Sequence, residues 1–362
     1  MRERKLQAEE ISHVVVRGTN WVGDAVMTIP ALRELRRVLP QARITLATRS
    51  WAEGLFRDAD FLDEIQVYDR GRHDSLAVLR QAKQWRRRRF DLAVLFQNAF
   101  EAALLARLAR VPVRLGYATD GRRPLLTHPV ALPSWHKRRH ELFYYLNLIA
   151  ALEQNLYGSS DILEREPHFA LRVSEARKAR ALEMLKAHGA RPARPLVALC
   201  PGSTNSRAKR WPAASYAVLA DRLIEELKAE VILVGAPDEV EVSEAVKAQM
   251  RREPVMLTGR TSLNEAVELL SLADLLITND TGPAHIASAL ERPTLVIFGP
   301  TDPATTRPFS KSAKIVRHPP DCAPCMLRDC PIDHRCMTAI SPDEIFAEAC
   351  EMLRQARLEV GA

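Results

Sequence analysis

The chain has 362 residues, 47% of them hydrophobic and 27% charged, which suits a folded protein of two domains, since single cores stop growing near ~250–300 residues. Lys and Arg outnumber Asp and Glu by 52 to 45, and the net charge of +7 points to anionic partners such as phosphates, nucleic acid or an acidic membrane face. No apolar run reaches the ~18–20 residues that cross a bilayer, and MRERKLQAEEIS at the start holds no apolar stretch to act as a secretion signal, so a membrane bundle is excluded and a cytosolic protein expected.

In chain order, a β-branched run at Val14–Val16 meets a Gly-containing loop, then a helical pattern through Leu32 and Leu35, then a strand at Ile44–Ala47. The alternation continues with a strand at Ile65–Asp69, a helix at Leu76–Trp85, a strand at Leu92–Phe96 and a helix at Phe100–Ala109. Glu164–Glu175 carries a proline and little periodicity, and reads as a linker. Beyond it come strand Pro195–Cys200, helix Ala213–Lys228, strand VILVG, helix Asp238–Met250, strand VMLTG, helix Leu263–Ala273 and strand LLITND. The pattern predicts an α/β protein of two similar halves, each a series of βα units around a parallel sheet, residues 1–170 and 171–342, followed by a C-terminal helix and tail over 343–362.

Ligands of open α/β sheets sit beyond the carboxyl ends of the strands, so the loops that follow strands are the first places to look. The first such loop, Arg17 to Asp24 (RGTNWVGD), has two glycines for tight turns and places Asp24 where a helix begins. Asp24 suits either a helix cap or a carboxylate general base. In the second loop, CPGSTNSRAKRWP, Gly202, the hydroxyls of Ser203 and Thr204, and Lys209 form the mixture that phosphate recognition needs, although a solvated basic turn would read the same. It is not a Walker loop, because GxxxxGK[ST] is absent. The third loop, TNDTGPAH, puts Asp280, Thr281, Gly282 and His285 at a helix start with Pro283 in its first turn, which is a ready anion site. Asp280 also suits a cap, and His285 a packing role.

Asp58 and Asp60 have the spacing of a metal-dependent sugar-transferase carboxylate pair but fall at a turn before the Ile65 strand. Two arginine-rich stretches, Arg80–Arg89 and Trp135–His140, are interleaved with tryptophan and suit either a solvated face or an anionic membrane interface. No nucleic-acid-binding motif accompanies them. Cys322, Cys325, Cys330 and Cys336 form a C-x2-C-x4-C-x5-C run with His334 inside it, a pattern for a structural Zn or Fe–S site or for packed thiols. Cys200 and Cys350 read as packing residues.

Taken together, WVGD at Trp21–Asp24, CPGSTNSRAKRWP, TNDTGPAH and the later GPTDP resemble glycosyltransferase family 9, from Val14 to about Leu353. The resemblance implies a GT-B fold, two Rossmann-like domains facing a central cleft, with the acceptor on the first and the nucleotide sugar on the second. It implies inverting transfer of heptose from ADP-heptose to the first heptose of the lipopolysaccharide inner core, on a lipid A acceptor at the cytoplasmic face of the inner membrane, with no cofactor in catalysis and no nucleic-acid partner. By position, Asp24 matches the general base and Lys209 the lysine on the donor phosphates. Gly202, Ser203, Thr204, Asp280, Thr281, Gly282 and His285 match the donor site, and Asn20, Trp21 and Asn98 the acceptor site. Carboxylates after VILVG come later than in the family pattern, and Glu239 is assigned to the nucleotide ribose. The alternatives are another core transferase of the family, a Rossmann dehydrogenase, against which the first βα turn lacks GxGxxG, and a non-catalytic nucleotide- or anionic-lipid-binding protein of the same fold.

Overall fold

The computed structural model describes residues 6–69, 76–191 and 193–360, and the chain divides into two compact units on either side of Phe169. The first holds six strands, β1 (His13–Arg17), β2 (Arg43–Thr48), β3 (Glu64–Val67), β4 (Leu92–Leu95), β5 (Val113–Tyr117) and β6 (His128–Val130). All pair in parallel in the order β3-β2-β1-β4-β5-β6, with Val14 opposite Ile44 on one side and Leu92 on the other. Val14, Val15 and Val16 are fully buried because a central parallel strand is covered on both faces, which is why the run is continuously apolar rather than alternating.

Helix Ile29–Val38 starts with Pro30 in its first turn and buries Leu32, Leu35 and Val38. The later helix Glu141–Tyr157 buries residues on nearly every side and so lacks the amphipathic stripe that marks a surface helix. The second basic stretch runs directly into it. Trp85, read above as part of a basic interface, is fully buried and meets Phe90 edge to face at 5.8 Å, so it is not on the surface with the charges of that stretch. Asp60 of the Asp58–Asp60 pair is tied to Arg33 at 3.0 Å.

The second unit repeats the plan with β7 (Leu196–Cys200), β8 (Glu230–Leu233), β9 (Val255–Met256), β10 (Leu275–Asn279), β11 (Thr294–Ile297) and β12 (Ala313–Val316), all parallel, in the order β12-β11-β10-β7-β8-β9. The C-terminal helix Pro342–Val360 belongs to this unit, since Ile345, Phe346, Ala349, Met352 and Leu353 share a core with Leu219 and Leu223 of helix Ala213–Glu226. The segment expected as one helix from Asp238 begins as a 3-10 turn, Pro237–Glu239, and becomes α-helical over Val240–Lys247. Both units are therefore Rossmann-like, and in each the chain reverses direction of growth between its first and fourth strands. That leaves a crevice beyond β1 and β4 in one unit and beyond β7 and β10 in the other.

Candidate active site

In the first unit, Asp24 lies in the opening turn of helix Val22–Met27, directly after β1. It is not the helix cap, since Trp21 holds that position in an extended conformation. Burial first, and the nearby Glu141 carboxylate second, raise the Asp24 pKa to about 6, while a hydrogen bond with Tyr145 opposes the shift. Glu141 opens helix Glu141–Tyr157 and Tyr145 follows one turn later, so both reach Asp24 from one helical face. Burial raises Glu141 as well, against the lowering effect of Lys137. The result is a carboxylate poised between acid and base near neutral pH, the property a general base requires.

Of the residues expected to meet an acceptor, Asn20 is exposed and Trp21 is 55% exposed beside Asp24. Asn98 lies beyond β4, next to β1 in the sheet, but both ends of its amide are engaged: it donates to Tyr144 and accepts from Arg122. Arg122 is fully buried and also donates to the Gln97 and Tyr117 carbonyls, so Asn98 belongs to the wall of this site as a fixed element.

In the second unit, the crevice beyond β7, β8 and β10 collects the other expected residues. Lys209 ends the 3-10 turn Arg207–Lys209, and its Nζ donates to the Asp280 carboxylate at 2.9 Å and to the Asp280 carbonyl at 3.0 Å. Asp280 is 2% exposed and also accepts from the Thr301 hydroxyl at 2.6 Å, so it anchors Lys209 and does not cap the helix that follows. Thr281 is that helix's N-cap and makes no capping side-chain bond to the first turn of Gly282–Ala289, and uncapped first-turn amides are able to take an anion. His285 is buried in the same helix.

Glu239 stands between the loops after β7 and β8. Its carboxylate accepts from the Ala236 amide at 2.9 Å and from Thr204 at 3.4 Å, and burial raises its pKa. Gly202 makes this possible, since a Cβ there would sit 2.3 Å from the Glu239 carboxyl carbon. Asn279, at the end of β10, holds the whole arrangement: its Nδ2 donates to Pro201 and Gly202 carbonyls at 2.8 and 3.2 Å, and its Oδ1 accepts from the Trp211 amide and the Tyr216 hydroxyl at 3.1 and 3.2 Å. It binds the loops beyond two adjacent strands to each other.

The metal expected at Cys322, Cys325, Cys330 and Cys336 is not supported: among the described residues no three or more His, Cys, Asp or Glu side chains form a group able to hold one. All four thiols are free, with Cys322 exposed and Cys336 buried beside Gly299. His334 is used otherwise, its Nε2 lying 2.5 Å from the Ala208 carbonyl. The same segment meets the Lys209 turn through Arg328, whose carbonyl accepts from the Ala208 amide at 2.9 Å, and through an Arg207–Asp329 ion pair at 2.6 Å. The cysteine-rich loop is thus a brace for the turn that carries Lys209.

With this geometry in hand, the comparison with known proteins is decisive, because the family model for glycosyltransferase family 9 (heptosyltransferase) matches residues 78–335. The chain belongs to glycosyltransferase family 9. It is 30% identical over 312 residues to the lipooligosaccharide heptosyltransferase 2 of Haemophilus influenzae, covering 84% of this chain and 88% of that protein. Identity to the lipopolysaccharide heptosyltransferase 2 of Escherichia coli K12 is likewise 30%, covering 84% and 87%. The structure of E. coli ADP-heptose lipopolysaccharide heptosyltransferase II is similar at a TM-score of 0.79 and 27% identity, over 95% of this chain and 99% of that one.

Sequence reasoning reached most of this glycosyltransferase's crevice loops but missed Glu141, Tyr145, Asn279 and Thr301. Asn279 and Thr301 stand inside TNDTGPAH and GPTDP and were passed over because their partners are remote in sequence. Glu141 is the lone carboxylate at the head of an apolar helix, a signal that was available. The Gly202 contact predicts that Gly202→Ala leaves the fold intact, because only the flexible end of Glu239 must move, and weakens nucleotide binding. Titration calorimetry with ADP, beside a thermal melt, checks both halves of that expectation.

Proposed function

We propose that this glycosyltransferase moves heptose from ADP-heptose to the first heptose of the lipopolysaccharide inner core, with inversion. The observation that carries the reading is its 30% identity to two heptosyltransferase 2 proteins over 84% of the chain. Residues 1–170 hold the acceptor, and residues 171–342 hold the nucleotide sugar. Asp24 accepts the proton of an acceptor hydroxyl as that oxygen bonds to the anomeric carbon. The bond from that carbon to the β-phosphate oxygen breaks on the opposite face, and ADP leaves. Negative charge grows on the diphosphate, where Lys209 and the amides of Ser203, Thr204, Thr281 and Gly282 stabilise it, and Glu239 accepts from the ribose hydroxyls. No cofactor enters this sequence of steps.

The acceptor is lipid-linked, so the protein works at the cytoplasmic face of the inner membrane without crossing it; among the described residues no helix is long and apolar enough to span one. Helix Ala77–Arg88 supports surface contact, with Arg80, Lys83, Arg86 and Arg87 exposed beside Leu76 and Leu79, which are 57% and 53% exposed. Each such cation contributes about 1 kcal/mol near an anionic surface.

The test is incubation of the purified protein with ADP-heptose and a delipidated acceptor carrying one heptose on Kdo (the acidic octulosonic sugar), following ADP release and acceptor mass. A gain of one heptose is expected. Transfer only to bare Kdo or to a longer core would change the acceptor assignment, and silence with every acceptor would overturn the reading.

A further inference from the structure

The loop that holds Cys322, Cys325, Cys330 and Cys336 touches both of the loops that meet at the Lys209–Asp280 pair. At the Lys209 turn, the Ser206 hydroxyl lies 3.3 Å from the Leu327 and Arg328 carbonyls, in addition to the contacts at Ala208. At the segment after β11, the Met326 amide donates to the Pro300 carbonyl at 2.9 Å, and Cys336 Sγ lies 3.3 Å from where a Cβ on Gly299 would stand. Thr301, which donates to Asp280, is the next residue after Pro300. One short segment therefore supports Lys209 from one loop and its partner Asp280 from the other.

The sulfurs of this segment are gathered. All four thiols are free, Cys330 is half-buried and Cys336 is buried. Burial raises the Cys336 thiol most, and the Cys330, Cys325 and Cys322 thiols follow in that order, so all four lie within electrostatic range and Cys330 acts most strongly. Between the two, the His334 amide donates to Cys330 Sγ at 3.3 Å, and the ring of the same histidine meets the Ala208 carbonyl. Met326 and His334 both hold a φ of 57°, a left-handed backbone that side chains seldom adopt, so these contacts keep the segment in shape against local strain. To bond, two sulfurs that are free must approach each other, which draws Cys336 from Gly299 or Cys330 from the His334 amide.

We infer that Cys330 and Cys336 form a redox site, joined into a disulfide by a hydroperoxide, and that the bond loosens the Lys209 turn and weakens donor binding. The inference rests on the reading of the second unit's loops as the nucleotide site. With hydrogen peroxide, the more open Cys330 sulfur attacks the O–O bond and becomes a sulfenic acid, and one water is released. The Cys336 sulfur then displaces that hydroxyl, which leaves with the Cys336 proton as a second water. Two thiols lose two electrons and two protons, and the peroxide is reduced to two waters.

The full chain is compared in three states: reduced, treated with hydrogen peroxide, and treated with peroxide and then dithiothreitol. Peptide mapping by mass spectrometry should find Cys330 joined to Cys336 in the second state alone. Titration calorimetry should show ADP binding about tenfold weaker in that state, the scale of one lost hydrogen bond. Dithiothreitol should restore it, which it would not do for oxidised methionines. In Cys330→Ser, whose hydroxyl can still accept from the His334 amide, ADP affinity should be the same with and without peroxide, and Cys336→Ala should behave alike. The double variant Cys322→Ser with Cys325→Ser should respond as the unmodified protein does. Absence of the Cys330–Cys336 link, equal ADP affinity with and without it, or a response that survives Cys330→Ser overturns the inference. If the reduced protein binds no ADP, the donor reading has failed, and hydrogen exchange at the Ala208 amide then decides the redox site: faster exchange in the linked protein sustains it, and unchanged exchange removes it.

Discussion

Asp24→Asn is expected to lower turnover by about 10²–10⁴-fold, the usual contribution of a positioned base, with ADP affinity unchanged. The pH profile gives the sharper test, because the causes of the Asp24 shift are separable. The base works in its ionised form, so kcat/KM should be level above the Asp24 pKa of about 6 and fall by one proton as pH drops through it. Glu141→Gln removes a like charge that raises this pKa, and moves the inflection down. Tyr145→Phe removes the hydrogen bond that favours the carboxylate, and moves it up. Opposite displacements from two neighbours on one helix are what tuning of Asp24 requires. An inflection that ignores both substitutions places the base elsewhere.

Lys209→Ala is expected to reduce kcat/KM for the donor by about 10²–10³-fold, the range seen when one donor to a developing negative charge is deleted. A second effect accompanies it. Lys209 neutralises Asp280, whose side chain is 3% exposed, and leaving a buried carboxylate with only the Thr301 hydroxyl is destabilising. The double variant Lys209→Ala with Asp280→Asn separates the two contributions. Stability measured by denaturant melt should recover in the double variant, while activity should not. Recovery of both would make Lys209 a structural residue, and unchanged donor kinetics in the single variant would remove it from the site.

The sheet architecture was legible because central parallel strands are fully buried and therefore read as unbroken apolar runs, as at Val14–Val16 and Leu275–Ile277. Strand β6, HPV at His128–Val130, was not legible, being three half-buried residues with a proline at an edge. Helix Glu141–Tyr157 escaped for the opposite reason, since a helix buried on nearly all sides has no polar face to set its period. At the site, loops after strands could be found because glycine, hydroxyl and lysine concentrate there. What holds those loops could not: the Lys209–Asp280 pair spans 71 positions, and Asn279 reaches carbonyls 78 and 77 positions away. No short-range pattern encodes such pairings. The cysteine run misled in the reverse sense, since its spacing matches metal sites while its histidine is bonded to the Ala208 carbonyl.

That bond connects surface dynamics to donor affinity. Segment 326–334 is largely exposed, with Met326 and Ile332 58% and 61% accessible, and it meets the Lys209 turn through individual hydrogen bonds and one surface ion pair rather than a packed apolar layer. Contacts of that kind open locally far more often than a sheet core does. On the proposed role of Lys209, only molecules with the brace closed present it in its aligned position, and the measured donor dissociation constant is then the intrinsic one divided by the closed fraction. Substitutions at Asp329 or His334, whose side chains hold the brace, would therefore register as weakened donor binding through the population of competent molecules.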